Sequence, residues 1–257
     1  MSAGPLSGRG IVITRPREHA AALAGRVRAA GGDPILFPTI EIVPPDDTGT
    51  VSGIIGRLEE FHLAIFVSPT AASRGCGMVS ATRTWPANLR VAAVGEGTAR
   101  ALHERGFRDV ISPSGEADSE AMAGLPELQG LGGRSVVIFR GQGGREWLRS
   151  ELERRGARVE YAECYRRARP DAHAGALLAR WQTGGVDAVS IASSEGLANF
   201  FAMLGPTGGR YIRATPMFVP HTRIELAARK LDVREVVVTG GGDDRTVAEM
   251  AAFFARV

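Results

Sequence analysis

Arg15 and Arg140 each follow a short apolar run, IVI-T in one case and VVIF in the other, and they stand 125 positions apart. A guanidinium placed directly after a strand can pair with a carboxylate through two parallel hydrogen bonds. Arg140 opens a glycine-rich turn, RGQGGRE, and a basic amphipathic stretch follows, running to Gly156. A strand, glycines and a helix N-terminus are the ingredients of an anion cradle. The nucleotide versions of that cradle are incomplete here. A dinucleotide site requires G-x-G-x-x-G and a downstream acid for the ribose, and a P-loop requires its lysine. The counterpart of the turn near Arg15, RPREHA, has no glycine at all. Gly141, Gly143 and Gly144 therefore read as a tight turn facing an anion, with Arg145 as a weaker second cation. The five histidines (His19, His62, His103, His173 and His221) show no ligand spacing, and SPTAA and SSEGL lack the G-x-S-x-G elbow of a serine hydrolase. Cys76 and Cys164 have no metal-like spacing and read as buried thiols.

The spacing of the two arginines belongs to a longer repetition. GRGIVITRPREHAAALAGRVRAAG (Gly8 to Gly31) overlies GRSVVIFRGQGGREWLRSELERRG (Gly133 to Gly156), and HLAIFVS overlies DAVSIAS at the same offset. The offset slips by about one residue near the end, as an indel in a loop would cause. Each half reads as alternating strand and helix. The strands are short, β-branched and almost continuously apolar, which suits parallel strands covered on both faces. The expected strands are IVIT, PILFP, LAIFV, VAAV and DVISP, then VVIF, VEYAEC, AVSIA, MFVP and EVVVT. Helix-length stretches such as Glu18 to Ala30, Thr98 to Arg105 and Arg145 to Arg155 lie between them. This alternation predicts an α/β fold with a doubly wound parallel sheet in each half. Ligands of such sheets bind at loops leaving the carboxyl ends of the strands.

Composition narrows the class. The chain has 257 residues with a formal charge of +3, too mild to demand nucleic acid as a partner. Its apolar runs fall far short of a membrane span, and MSAGPLSGRG lacks the layout of a signal peptide. Two cysteines without metal spacing make a reducing cytoplasm the default.

The order of motifs resembles the uroporphyrinogen-III synthases. The matching pieces are GIVITRP, LFPTIEIVP, LAIFVSPTAA, VAAVGEGTARAL, SVVIFRGQGGREWLRSELERRGARVEYAECYRR, VDAVSIASSEGLANF and TPMFVPHTRIELAARKL. They cover nearly the whole chain in the family's order. The resemblance implies two similar α/β domains joined by two connecting segments, with an interdomain cleft. The crossings fall near PTIEIVP and EYAECYRRARP. The first domain then takes 1–41 plus 167–257, and the second takes 42–166. It also implies cyclisation of hydroxymethylbilane to uroporphyrinogen III, with loss of water and inversion of ring D, and no metal or organic cofactor. A monomer is expected, in transient contact at most with the enzyme that supplies the unstable substrate. The alternative is a two-lobed tetrapyrrole- or anion-binding regulatory module that keeps the fold without catalysis.

Site residues follow from the same match. Tyr165 in ECYRR stands where the family has its tyrosine, and its phenol can donate a hydrogen bond to the departing hydroxyl. Tyr161 reads as a core residue of the strand. Thr98 in VGEGTA matches the family's G-x-x-T-A turn, where helix amides can hold a carboxylate. Thr222 matches the turn of the other half, with Pro220 replacing the usual glycine. Ser68, Ser193 and Ser194 match the strand-end serines, while Val67 and Ala192 stand where threonine is common. With Arg15 and Arg140, these serines and threonines are the expected substrate-binding set around eight carboxylates.

Overall fold

The structure, a computed structural model, describes residues 4–115 and 118–256. The chain divides into two compact units: unit 1 is Met1–Glu41 with Ala168–Val257, and unit 2 is Ile42–Arg167. Unit 1 begins with β1 (Gly10–Ile13), α1 (Arg17–Ala29) and β2 (Asp33–Leu36). The chain then passes through β3 (Glu41–Val43) into α2 (Thr48–Gly56), β4 (Leu63–Phe66), α3 (Pro69–Ser80), β5 (Arg90–Ala93) and α4 (Glu96–His103). Unit 2 continues with β6 (Val110–Ile111), α5 (Ser119–Ala123), β7 (Ser135–Gly141), α6 (Trp147–Arg154) and β8 (Arg158–Ala168). Unit 1 is then completed by α7 (Gly175–Gln182), β9 (Ala188–Ser190), α8 (Ser194–Ala214), β10 (Met217–Val219), α9 (Thr222–Arg229), β11 (Val236–Val238) and α10 (Asp243–Phe254).

In unit 2 the strands lie in the order β3-β8-β7-β4-β5-β6, and in unit 1 in the order β11-β10-β9-β1-β2. The registers along β8-β7-β4-β5-β6 and along β11-β10-β9-β1-β2 are parallel throughout. Apart from β3, each strand of one sheet has its repeat partner at the same place in the other. Alternate side chains explain why both faces are covered. Ala64 and Phe66 of β4 join Val137 and Phe139 of β7 in a core with α2, α3 and α4. Leu63, Ile65, Val136 and Ile138 point the other way, onto Met122 of α5 and Leu148 and Leu152 of α6. Burial of each such large side chain stabilises the unit by about 1.5–3 kcal/mol. Unit 1 repeats the pattern, with Val12 and Val189 in one core and Ile11, Ile13 and Phe218 in the other.

This winding creates one switch point per unit. In unit 2 the chain steps outward from β4 through β5 to β6, then returns to place β7 on the opposite side of β4. Loops leaving β4 and β7 diverge to opposite faces, and the crevice between them is where such sheets hold ligands. The equivalent place in unit 1 lies between β9 and β1.

Three local expectations change. β3 is a strand on the edge beside β8, where the resemblance implies only a connecting segment. Helix α6 starts at Trp147 instead of Arg145, because Gly143 and Gly144 have φ of 74° and 105°, outside the right-handed helical region. Helix α4 starts at Glu96, two residues before Thr98, with Gly95 as its N-cap.

Candidate active site

At the unit 2 switch point, β4 ends at Phe66 and the chain turns into α3 through Val67 and Ser68. Ser68 is extended and acts as the N-cap: its Oγ accepts from the Ala71 amide at 3.0 Å, and Pro69 follows at the first helical position. Such a cap is worth about 1 kcal/mol. The same Oγ lies 3.2 Å from the phenolic oxygen of Tyr165 on β8.

Tyr165 faces Ser68 because β8 is irregular. The β7–β8 ladder pairs Phe139 with Ala162 and Arg140 with Glu163, then jumps to pair Gly141 with Tyr165. Cys164 is the extra residue of this bulge. Val159 and Tyr161 pack on the α5/α6 side of the sheet, and Ala162 and Cys164 on the α3 side. Simple alternation would send Tyr165 to the α5/α6 side. The bulge turns it over, so that it joins the α3-side core with only 7% of its surface exposed. Its ring lies against backbone: a Cβ built on Gly141 would come within 2.7 Å of two ring carbons. The bulged Cys164 thiol contacts the Arg140 carbonyl at 3.3 Å. Burial pushes the Cys164 thiol up to about 12 and the Cys76 thiol up to about 11, so neither is a ready nucleophile.

Above these residues is a recess of about 310 Å³, lined by Val67, Ser68, Arg140, Gly141, Tyr161 and Tyr165 among others. Arg140 is turned away from solvent, with a side-chain exposure of 6%. Its Nε donates to the Gly141 carbonyl at 3.1 Å, one terminal nitrogen donates to the Gly143 carbonyl, and the other reaches Glu146 at 2.9 Å. The guanidinium also lies 4.2 Å from the centroid of the Tyr161 ring. Tyr161 donates to the second Glu146 oxygen at 2.9 Å. That hydrogen bond first, and then Arg140, lower the Glu146 carboxyl below its ordinary value, while burial and then Glu146 raise the Tyr161 phenol to about 12. Arg140 thus braces the glycine turn from inside. Arg145 is paired with Glu120 at 2.8 Å.

The remaining expected residues are spread over both units. Thr98 is the third residue of α4 and is buried. Thr222 is the first residue of α9, exposed, with His221 as the N-cap. The two threonines therefore do not occupy equivalent helix positions; Gly95 and His221 do. Ser193 caps α8 as Ser68 caps α3, accepting from the Gly196 amide at 3.0 Å, and Ser194 is the first helical residue. Arg15 pairs with Asp243 of α10 at 2.5 Å. Sequence reasoning missed Asp243, the Ser68–Tyr165 contact, and the brace of Arg140, Glu146 and Tyr161. Only Glu146 left a trace, an acid shortly after a buried-strand arginine. Among the described residues no group of three or more His, Cys, Asp or Glu could hold a metal ion, and no helix is long and apolar enough to cross a membrane.

Fold and site together define a two-unit, doubly wound α/β protein with a polar, tyrosine-bearing recess at one switch point. A family model described as uroporphyrinogen-III synthase HemD matches residues 21–241. Uroporphyrinogen-III synthase of Salmonella typhimurium is 33% identical over 91% of this chain and 96% of its own length. The enzyme of Escherichia coli is 30% identical over the same shares. Crystal structures of uroporphyrinogen III synthase from Thermus thermophilus (a mutant; TM-score 0.63, 16% identity, 97% of this chain and 100% of that one) and Helicobacter pylori (0.61, 12%, 95% and 99%) share the fold. The chain belongs to the uroporphyrinogen-III synthase family.

Proposed function

We propose that this chain cyclises hydroxymethylbilane to uroporphyrinogen III, inverting ring D with loss of water. The observation that carries the reading, beyond family membership, is the Tyr165 phenol held over the recess by a bulge and a glycine. The hydroxyl departs as water, taking one proton, while a pyrrole N–H gives one up. Neither oxidant nor reductant is involved. A phenol that donates a hydrogen bond to the departing oxygen stabilises the charge that develops there. The substrate's carboxylates are met by Arg15, Thr222 and Ser194, by the helix-start amides that Ser68 and Ser193 cap, and by the first turn of α4, which carries Thr98. Arg140 contributes by shaping the turn, since its own donors are engaged. The protein works as a cytoplasmic monomer without a cofactor, receiving the unstable bilane by transient contact with its producer.

Uncatalysed closure of the bilane gives the symmetric type I isomer, so the isomer ratio is the decisive readout. For type III to reach about 99% of product, the inverted path must win by roughly 2.7 kcal/mol. The bilane is generated in situ with this protein present, and the oxidised products are separated chromatographically. Predominant type III is expected. Type I from folded protein and fresh substrate would overturn the reading in favour of a binding module.

A further inference from the structure

Ser68 carries one hydroxyl hydrogen and two acceptor positions. One acceptor position is taken by the Ala71 amide, and the Tyr165 phenolic oxygen lies 3.2 Å away. Only two arrangements of the shared hydrogen bond exist. If the phenol donates to Ser68, its sole hydrogen points at the serine and cannot serve a substrate. If Ser68 donates to the phenolic oxygen, the phenol hydrogen is free to turn into the recess. The Ala71 N–H is a first-turn amide of the twelve-residue α3 and feeds Ser68 from the positive end of the helix. A hydroxyl that accepts from such a donor is a better donor itself, and the phenol that accepts from it is strengthened in turn.

We propose that Ser68 is a positioning residue: it donates to the Tyr165 oxygen and so aims the phenol hydrogen at the departing hydroxyl of the substrate. The chain runs Ala71 N–H to Ser68, Ser68 O–H to Tyr165, and Tyr165 O–H to the leaving oxygen. Gly141 belongs to the same device, because a side chain there would displace the ring from Ser68. The inference rests on the synthase reading for the last link, on the 3.2 Å contact and the helix-start donor for the second, and on the cap geometry for the first.

Ser68→Asp gives the sharpest test. Aspartate is as good an N-cap as serine, so α3 keeps its start. A carboxylate only accepts, however, so the phenol must donate to it and turn its hydrogen away from the recess. Turnover should fall by about tenfold or more, to the level of Tyr165→Phe, while the added charge separately raises KM by weakening the carboxylate contact at this helix start. Ser68→Thr, which keeps the hydroxyl, should restore most of the turnover. In a Tyr165→Phe background, Ser68→Asp should cause less than about a twofold further loss, because both act through one group. A second readout needs no substrate. The chain has three tyrosines, so the 3-fluorotyrosine signal that vanishes in Tyr165→Phe can be assigned, and it should move in Ser68→Asp. A signal that stays put, a Ser68→Asp enzyme as fast as wild type, or multiplicative losses in the double variant would overturn the proposal. Failure of wild-type protein to make type III product would instead overturn the synthase reading, with the fluorine signal still deciding the contact.

Discussion

The two switch points stand at the same place in a repeated pattern and differ in what fills them. Each has a serine capping the helix after its central strand, Ser68 on α3 and Ser193 on α8, with the same 3.0 Å cap. Each has an arginine just after the neighbouring strand, or at its end, Arg140 and Arg15. At the 125-residue offset, however, Gly141 corresponds to Pro16 and Tyr165 to Ile40. In unit 1 the start of α8 is packed by Thr39 and Ile40, which lie 3.1 and 3.9 Å from where a Gly196 Cβ would stand. In unit 2 the corresponding space is given to a phenol lying on a glycine. One copy of the repeat places a phenol against its serine cap, and the other packs the helix start with Ile40 and with Thr39, whose hydroxyl donates to the Thr14 carbonyl. Duplication therefore does not imply two equivalent sites. On the proposed reading the chemistry falls to unit 2, and unit 1 is left to bind.

The arginines should separate the copies most strongly. Arg140 is almost fully enclosed and makes three contacts within its own turn, whereas Arg15 is partly exposed and makes one ion pair. Arg140→Ala leaves the Gly143 carbonyl without its side-chain donor and Glu146 with Tyr161 alone, and opens a cavity over Tyr161. It should destabilise unit 2 by about 2–4 kcal/mol. Arg15→Ala should cost less than about 1 kcal/mol and act mainly on substrate affinity. Denaturant unfolding and KM measure the two. Equal stability losses would erase the contrast. The next effect is catalytic: Tyr165→Phe should lower turnover by about tenfold or more, at least 1.4 kcal/mol in the barrier, with folding kept. Unchanged turnover would make Tyr165 a packing residue and place the two switch points on a par.

The fold and its duplication are largely legible in the sequence, and the contrast between the two sites is not. Continuous apolar runs separated by helix-length stretches mark parallel strands covered on both faces, and among the described residues ten of eleven strands lie within or overlap those runs. The duplication reads directly from Arg15 and Arg140. Sequence alone does not show which way Arg140 points, because its acceptors are two carbonyls and a carboxylate brought round by a left-handed glycine turn. Nor can it show that β8 has a bulge. ECYRR reads equally well with either face inward, and the extra residue is visible only when Gly141 is seen beside Tyr165. The partner of Arg15, Asp243, is 228 residues away, a distance that only the return of the chain to unit 1 closes. β3 escaped notice because three residues carry too little pattern to separate an edge strand from a connecting segment.

The smallest expected effect tests the symmetric part of the comparison. Ser68 and Ser193 offer the same cap to helices that start at positions 69 and 194, so Ser68→Ala and Ser193→Ala should each cost about 1 kcal/mol. Matching losses of that size, read as midpoint shifts in urea, would mean that the two caps remain equivalent as structure. Turnover should then divide them. Ser193 has Ile40 where Ser68 has Tyr165, so Ser193→Ala loses at most the amide geometry of one carboxylate site and should change KM by a few-fold. Ser68→Ala leaves the phenolic oxygen without its hydroxyl partner and should lower kcat as well. Equal kcat losses in both variants would mean that each serine touches substrate directly. The division of labour between the copies would then have to be sought in the residues beyond the caps, beginning with Thr98 and Thr222.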